Sequence, residues 1–493
     1  TAQIGNLPGL VSGGTYPVTV SVNGVTSNTN NSFTITPGNI YFVDNVNGVD
    51  TTDTSTGGTF TAPFKTVQKK AGSTLYFSID SASVSGAWGR VKAGDFIVMR
   101  GKGVPYTDRG YYDYFFQAMN KSGSAPGTAP VCAGCTGSGP ITIMGYPTED
   151  VFINDVYASN IDTGAISSAD SARVADGKGS WITITGLRIE SGNHDGPINT
   201  QYGGSHWRIV NNELSAATAV NNLTAKAGGI AGHGTGQYFV GNNIHDIYCG
   251  PDNGNSNLEN HGIYIDGPGS YEVAYNTFTK IRGGNGFQVY SVTASTNAGN
   301  LVNDINLHHN IFQNIAKHGI NFAEGSSGNI RVWNNIVSGT DMYGLRFNSL
   351  DLNGAKVYNN TFYNIVIPGT PGTGYNGLVV NTWGPITTTQ LSVQNNIFQP
   401  RASSVYYVSG DFASGVFSNN LYYGGINTLP TGDTSAVTAN PLFVTAGSDF
   451  HLQSTSPAIN KGSAAVSGVV TNDYDITTSR PQGGSYDIGA YER

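Results

Sequence analysis

A four-residue pattern recurs eight times between residues 209 and 420, and it restricts the chain to architectures built from stacked repeats. An apolar or β-branched residue is followed by two variable residues and then Asn. The pattern reads Ile209-Val210-Asn211-Asn212, Val240-Gly241-Asn242-Asn243, Val273-Ala274-Tyr275-Asn276 and Leu307-His308-His309-Asn310. It continues as Val332-Trp333-Asn334-Asn335, Val357-Tyr358-Asn359-Asn360, Val393-Gln394-Asn395-Asn396 and Phe417-Ser418-Asn419-Asn420. Between the closing Asn residues the steps are 31, 33, 34, 25, 25, 36 and 24. Irregular steps with a floor near 24 describe a coil of fixed minimum circumference carrying variable loops.

A second pattern is interleaved with the first. It reads Gly229-Ile230-Ala231-Gly232-His233, Gly262-Ile263-Tyr264-Ile265-Asp266 and Gly286-Phe287-Gln288-Val289-Tyr290, then Gly319-Ile320-Asn321-Phe322-Ala323, Gly344-Leu345-Arg346-Phe347-Asn348 and Gly377-Leu378-Val379-Val380-Asn381. Alternation of period two marks strands, with the apolar set facing one way and the rest the other. Two short strands per ~25 residues, stacked ~4.8 Å apart, make a parallel β-solenoid. Asn suits left-handed turns, and stacked Asn side chains hydrogen-bond along the axis, so the Asn repeat is read as structural.

Composition removes the competing classes. Gly is 67 of 493 residues without a period of three, which excludes collagen. Hydrophobic residues at 38% and aromatics at 11% argue against a disordered chain. The net charge of −8 and the lack of any Lys/Arg run exclude a nucleic-acid partner. No apolar run reaches ~18 residues, so no membrane-spanning segment is expected. Cys132 and Cys135 read as a loop staple, with a redox motif as the weaker reading, and Cys249 as a buried residue. The chain starts at Thr1 without Met, so it is expected to be a processed or truncated piece of a longer polypeptide. Abundant Thr, Ser, Asn and Gly with little Lys suit an extracellular bacterial protein, secreted or surface-bound.

These coils resemble the right-handed parallel β-helix superfamily, the secreted pectate-lyase-like, polysaccharide-active proteins. The resemblance implies an all-β right-handed parallel β-helix over residues 39–443, with polysaccharide as partner. The opening Tyr41-Phe42-Val43-Asp44 with Pro63-Phe64-Lys65-Thr66-Val67-Gln68 is similar to a strand followed by a capping helix, and Ala93–Val98 to the first core strand. Residues 444–493, with Ser456-Pro457-Ala458-Ile459-Asn460 and Asp487-Ile488-Gly489-Ala490-Tyr491-Glu492, resemble a choice-of-anchor Q segment that closes such helices. Residues 1–38 read as strands around the Asn23-Gly24 turn and resemble the last part of an IPT/TIG immunoglobulin-like domain. A half-domain of this kind implies self-association or a larger modular chain.

The outward positions of the second pattern form the candidate site. One column runs Ala231, Tyr264, Gln288, Asn321, Arg346, Val379, and its neighbour runs His233, Asp266, Tyr290, Ala323, Asn348, Asn381. Flanking them lie Glu259, His261, Lys317, His318, Glu324 and Tyr343, while Lys280 and Arg282 sit at a turn leading toward the groove. Titratable and aromatic groups converging on one face suit binding and cleavage of a glycan. β-Elimination on a uronic-acid polymer needs a group to neutralise the carboxylate, a base and an acid. Arg346 or Lys280 fits the first role, His261 or His233 the second, and Tyr264 or Tyr290 the third. Gln288, Asn321, His318, Glu324, Tyr343 and Asn348 are then substrate-binding candidates. Inverting hydrolysis is the alternative: Asp266 and Glu324 are two coils apart, about 9.6 Å, near the top of the ~6.5–9.5 Å range. A non-catalytic adhesin or filament protein is the third reading. No cofactor is required. Ca²⁺ is the one candidate ion, on Asp252, Asn255, Asn257 and Glu259, although that loop lacks the EF-hand pattern.

Overall fold

The computed structural model describes residues 15–18, 21–22, 25–26, 31–34, 38–50, 57–67, 90–107, 115–118, 122–125, 139–155, 166–167, 179–191, 196–200, 204–216, 228–247, 260–290, 302–323, 328–348, 354–365, 380–382, 391–401, 407–409, 415–426, 429–430 and 432–493. The architecture is all-β, a right-handed parallel β-helix in which neighbouring strands of a sheet come from successive coils. Among the described residues the only helical element is the 3₁₀ turn Ala464–Val466. No described helix is long and apolar enough to cross a membrane. Where the N-terminal capping helix is expected, residues 63–67 are not helical and Phe64 instead bridges Val43 in parallel; the residues that follow, and Cys132, Cys135 and Cys249, lie outside the described residues.

The chain divides into two compact units. In the smaller, Ile40–Val43, Phe96–Met99, Ile141–Gly145 and Ile182–Thr185 stack in parallel. Thr15–Val18 pairs antiparallel with Asn31–Thr34, and Ser21–Val22 with Val25–Thr26. The expected strands near the N-terminus are therefore present.

In the larger unit three parallel sheets run side by side. The site sheet contains Ile230–Gly232, Ile263–Ile265, Phe287–Tyr290, Ile320–Ala323, Leu345–Asn348 and Val380–Thr382. The second sheet includes Gln237–Val240, Gly269–Ala274, Val302–His308 and Ile330–Trp333. The third includes Asn243–Ile247, Thr277–Ile281, Ile311–Ile315 and Ile336–Thr340. Their inner faces stack like on like: Phe278 lies 4.5 Å from Phe312 at 7°, and Phe322 lies 5.1 Å from Phe347 at 18°.

The Asn repeat forms a continuous buried ladder. From Asn212 the backbone N–H and side-chain amide of each rung donate to Oδ1 of the next, through 242, 276, 310, 335, 360, 396 and 420. Asp433 closes it, its carboxylate accepting from the Asn420 amide at 2.9 Å. The rung in the second repeat is Asn242, whereas the sequence alignment used Asn243. The reason is the left-handed residue just before each rung, which there is Gly241 at φ 69°. The pair thus divides its work: the first member takes the left-handed turn, and the second makes the ladder.

Glycines opening the site strands lie against the next coil. A Cβ at Gly286 would stand 2.5 Å from the Phe312 ring and 2.7 Å from the Gly319 carbonyl. Gly286→Ala is expected to destabilise the protein by about 1–3 kcal/mol through overpacking, read as a lower denaturation midpoint.

Candidate functional site

The outward columns on the site sheet assemble largely as expected. In register, Ala231 lies beside Tyr264, Tyr264 beside Gln288, Gln288 beside Asn321, and Asn321 beside Arg346. The next residue in register with Arg346 is Asn381, not Val379, and Val380 is in register with Leu345. The expected alignment was two residues out of step there, because residues 366–379 lengthen that coil and leave three apolar residues in a row. Tyr290, Ala323 and Asn348 occupy one neighbouring column. The Asn348 side chain, Glu324, and the loop holding Asp252, Asn255, Asn257 and Glu259 lie outside the described residues. Among the described residues no cluster of three or more His, Cys, Asp or Glu is placed to hold a metal ion.

Within this face His233 pairs with the Asp266 carboxylate. Nδ1 of His233 lies 3.0 Å from Oδ1 of Asp266, with 25% and 28% of the side chains exposed. A carboxylate only accepts, so the proton of this bond sits on Nδ1 and the Nε2 lone pair faces away from Asp266. The backbone of His233 is fixed as well. Its N–H donates to Thr200 Oγ1 at 3.1 Å, and its carbonyl accepts from the buried Gln237 amide at 2.6 Å. Its ring lies over Gly267, where a Cβ would stand 2.4 Å from it. The sequence reading missed Thr200, Gln237 and Gly267. The Gly following Asp266 was the available signal.

His261 and His318 occupy turns that precede the strands. Nδ1 of His261 accepts from the Asn285 N–H at 3.0 Å, and Nδ1 of His318 accepts from the Tyr343 N–H at 3.1 Å. Both rings therefore bind the backbone of the next coil through the nitrogen that would take up a proton. His261 stacks on Tyr264 at 5.8 Å and 14°, and His318 on Tyr343 at 4.8 Å and 5°. Burial, reinforced by Arg346, pushes the His318 imidazole well below its ordinary range. The expectation that His261 serves as the base gives way to a turn-holding role for both rings.

Between Tyr264 and Arg346 the polar contacts are mutual. Oε1 of Gln288 accepts from the side-chain amides of Asn285 at 2.5 Å and Asn321 at 2.6 Å. Arg346 is three rungs from Tyr264, about 14 Å at ~4.8 Å per rung, too far to serve the same bond as His233. Lys280 is corrected more strongly. It lies on the third sheet at a left-handed bulge, exposed, with Nζ 3.3 Å from the Asp246 carboxylate. Asp246, Lys280, Asn314, Gly339 and Asn364 all take this conformation in successive coils, so Lys280 occupies a structural bulge position.

Fold and face together define a parallel β-helix with a polar and aromatic strip along one sheet. No family model matches the chain, and no curated protein matches it. Among solved structures it is similar to pectate lyase Pel9A at 16% identity and TM-score 0.46, covering 92% of this chain and 96% of that one. It is also similar to a GH136 lacto-N-biosidase from Eubacterium ramulus (11%, TM-score 0.41, covering 82% and 67%). A rhamnogalacturonan lyase gives 16% and TM-score 0.37, covering 83% and 91%.

Proposed function

We propose that the chain is an extracellular polysaccharide lyase, cleaving a uronic-acid-containing glycan by β-elimination on the site sheet. The observation that carries this reading is the His233–Asp266 bond beside the outward ring of Tyr264. Ala231, in register with Tyr264, is a small residue on the strand that leads to His233. Nε2 of His233 takes the C5 proton, and Asp266 holds the imidazole and stabilises its charged form. The electron pair of the C5–H bond becomes the C4–C5 double bond as the C4–O bond breaks. The Tyr264 hydroxyl supplies the proton to the departing oxygen. Further along the strip, Gln288, Asn321 and Arg346 bind other sugar units, with Arg346 taking a carboxylate.

The test is incubation with a panel of uronate polymers, following the ultraviolet absorbance of the unsaturated product. Rising absorbance with a matching release of reducing ends is the expected result. Reducing ends without absorbance would instead establish hydrolysis. No cleavage over the whole panel would sink the catalytic reading.

A further inference from the structure

The left-handed residues just before the Asn ladder have a second use. Five of them are Asn, and the last four, from Asn334 on, each reach out to the backbone of the C-terminal segment. Asn419 donates to the Lys461 carbonyl at 2.8 Å, Asn395 to Ser463 at 3.0 Å, Asn359 to Asp487 at 2.9 Å and Asn334 to Asn472 at 2.7 Å. In the next coil the same position is His309, whose Nε2 lies 2.9 Å from the Asp473 carbonyl. Five successive coils thus hold one segment, and the only titratable clasp among them is His309.

Through its other ring nitrogen His309 is also joined to a chain of polar groups. The Asp473 carbonyl only accepts, so Nε2 of His309 donates to it when it carries hydrogen; the Asn334 amide nitrogen, which donates to the Asn472 carbonyl, lies 3.1 Å from the same Nε2. Nδ1 of His309 lies 2.6 Å from Nδ1 of His308, and Nε2 of His308 bonds to the Glu272 carboxylate. With hydrogen on Nε2 and His309 neutral, its Nδ1 is an acceptor, so His308 donates there; it donates to Glu272 as well. In that state His308 is the imidazolium. The Trp333 ring stacks on His308 at 4.1 Å and 18°, a favourable face for a cation. Burial works to raise the Glu272 carboxyl, but the bonds from His308 and Asn306 and the charge of Arg331 hold it below its usual value.

We infer that the Glu272–His308–His309 chain is an acid-operated latch, releasing the stretch around Asp473 while the Asn clasps keep the rest of the C-terminal segment docked. A proton on His309 would set two N–H groups and two positive charges against each other at the Nδ1 contact. Arg480 adds a third positive charge, and Tyr275 and Tyr474 contribute only rings. The Asp473 carboxyl is buried, and burial raises it toward the neutral form. Nearby, His451 bonds to Asp475 at 2.9 Å; its pair strengthens in mild acid and opposes release beyond that point. Burial first, and then the charge on His308, push the closed-state His309 imidazole down to about 3. The released imidazole titrates near 6.5. The stabilisation is thus complete above pH 6.5 and lost as the pH falls toward 3.

Amide hydrogen exchange on the whole chain tests this, after correction for the intrinsic pH dependence of exchange. The amides of Asp473, Tyr474 and Arg480 are bonded within the segment, to Thr478, Ala490 and Thr471. Their protection is expected to fall about thirtyfold from pH 7.5 to 5. That of Gly462 and Ser463, beside the Asn395 clasp, is expected to hold. His309→Asn copies the neighbouring coils and should abolish the difference. Equal pH dependence at both places, or an unchanged thirtyfold loss in His309→Asn, overturns the latch. A second readout needs no variant: imidazole ¹⁵N shifts at pH 7 should show His308 doubly protonated and His309 neutral with hydrogen on Nε2. Any other assignment overturns it.

Discussion

His233→Ala is expected to lower the elimination rate by two to four orders of magnitude, the usual contribution of a positioned general base. The argument rests on geometry. Asp266 fixes the tautomer, and Thr200 and Gln237 fix the backbone, so the ring is set before substrate arrives. Asp266→Asn should fall nearly as far, because an amide donor turned toward Nδ1 favours the wrong tautomer. Tyr264→Phe keeps the stack on His261 and removes only the hydroxyl, so kcat should drop while KM is held. Lys280→Ala, on the third sheet, should leave the rate unchanged. The measurement is initial-rate absorbance on the best substrate, with thermal midpoints confirming that each variant is folded. A His233→Ala variant retaining wild-type rate would remove the base from this pair.

What the sequence carried, and what it did not, follows from how each feature is encoded. The sheets were legible because alternation and the Asn pairs repeat wherever coils stack. The Asn242 rung was misread by one place because two adjacent Asn competed, and only the preference of Gly241 for left-handed backbone decides between them. Val379 was misplaced because a lengthened coil breaks the count. On the site, the strip from Tyr264 to Arg346 was readable from the period-two pattern alone. The occupation of the His261 Nδ1 was not, since its partner is a backbone N–H in the next coil. Nor was the His308–His309–Glu272 chain, which joins groups 36 residues apart through one contact. Patterns that repeat with the backbone can be counted from sequence, whereas a particular proton position depends on side chains meeting once.

The ladder supplies the largest stability effect. Asn335 donates to the Leu307 carbonyl at 2.9 Å and to Asn360 Oδ1 at 3.0 Å, while its own Oδ1 accepts from the Asn310 N–H at 3.0 Å and side-chain amide at 2.9 Å. It is fully buried, so water cannot replace those partners. Asn335→Ala would strand at least two buried backbone groups, each worth about 1–3 kcal/mol, for a loss of roughly 3–5 kcal/mol. Asn335→Asp should fare no better. Asp433 shows why: at the last rung a carboxylate need only accept, from Asn420 and from the Tyr422 hydroxyl. A middle rung must also donate to Leu307 and Asn360, and a carboxylate there would be a buried charge facing two oxygens. The neighbouring Asn334→Ala should cost less, because its amide clasps the C-terminal segment and leaves the ladder intact. Chemical denaturation of the three variants gives the ranking. An Asn335→Ala protein within about 1 kcal/mol of wild type would mean that each coil is held by its apolar stack and strand bonds alone.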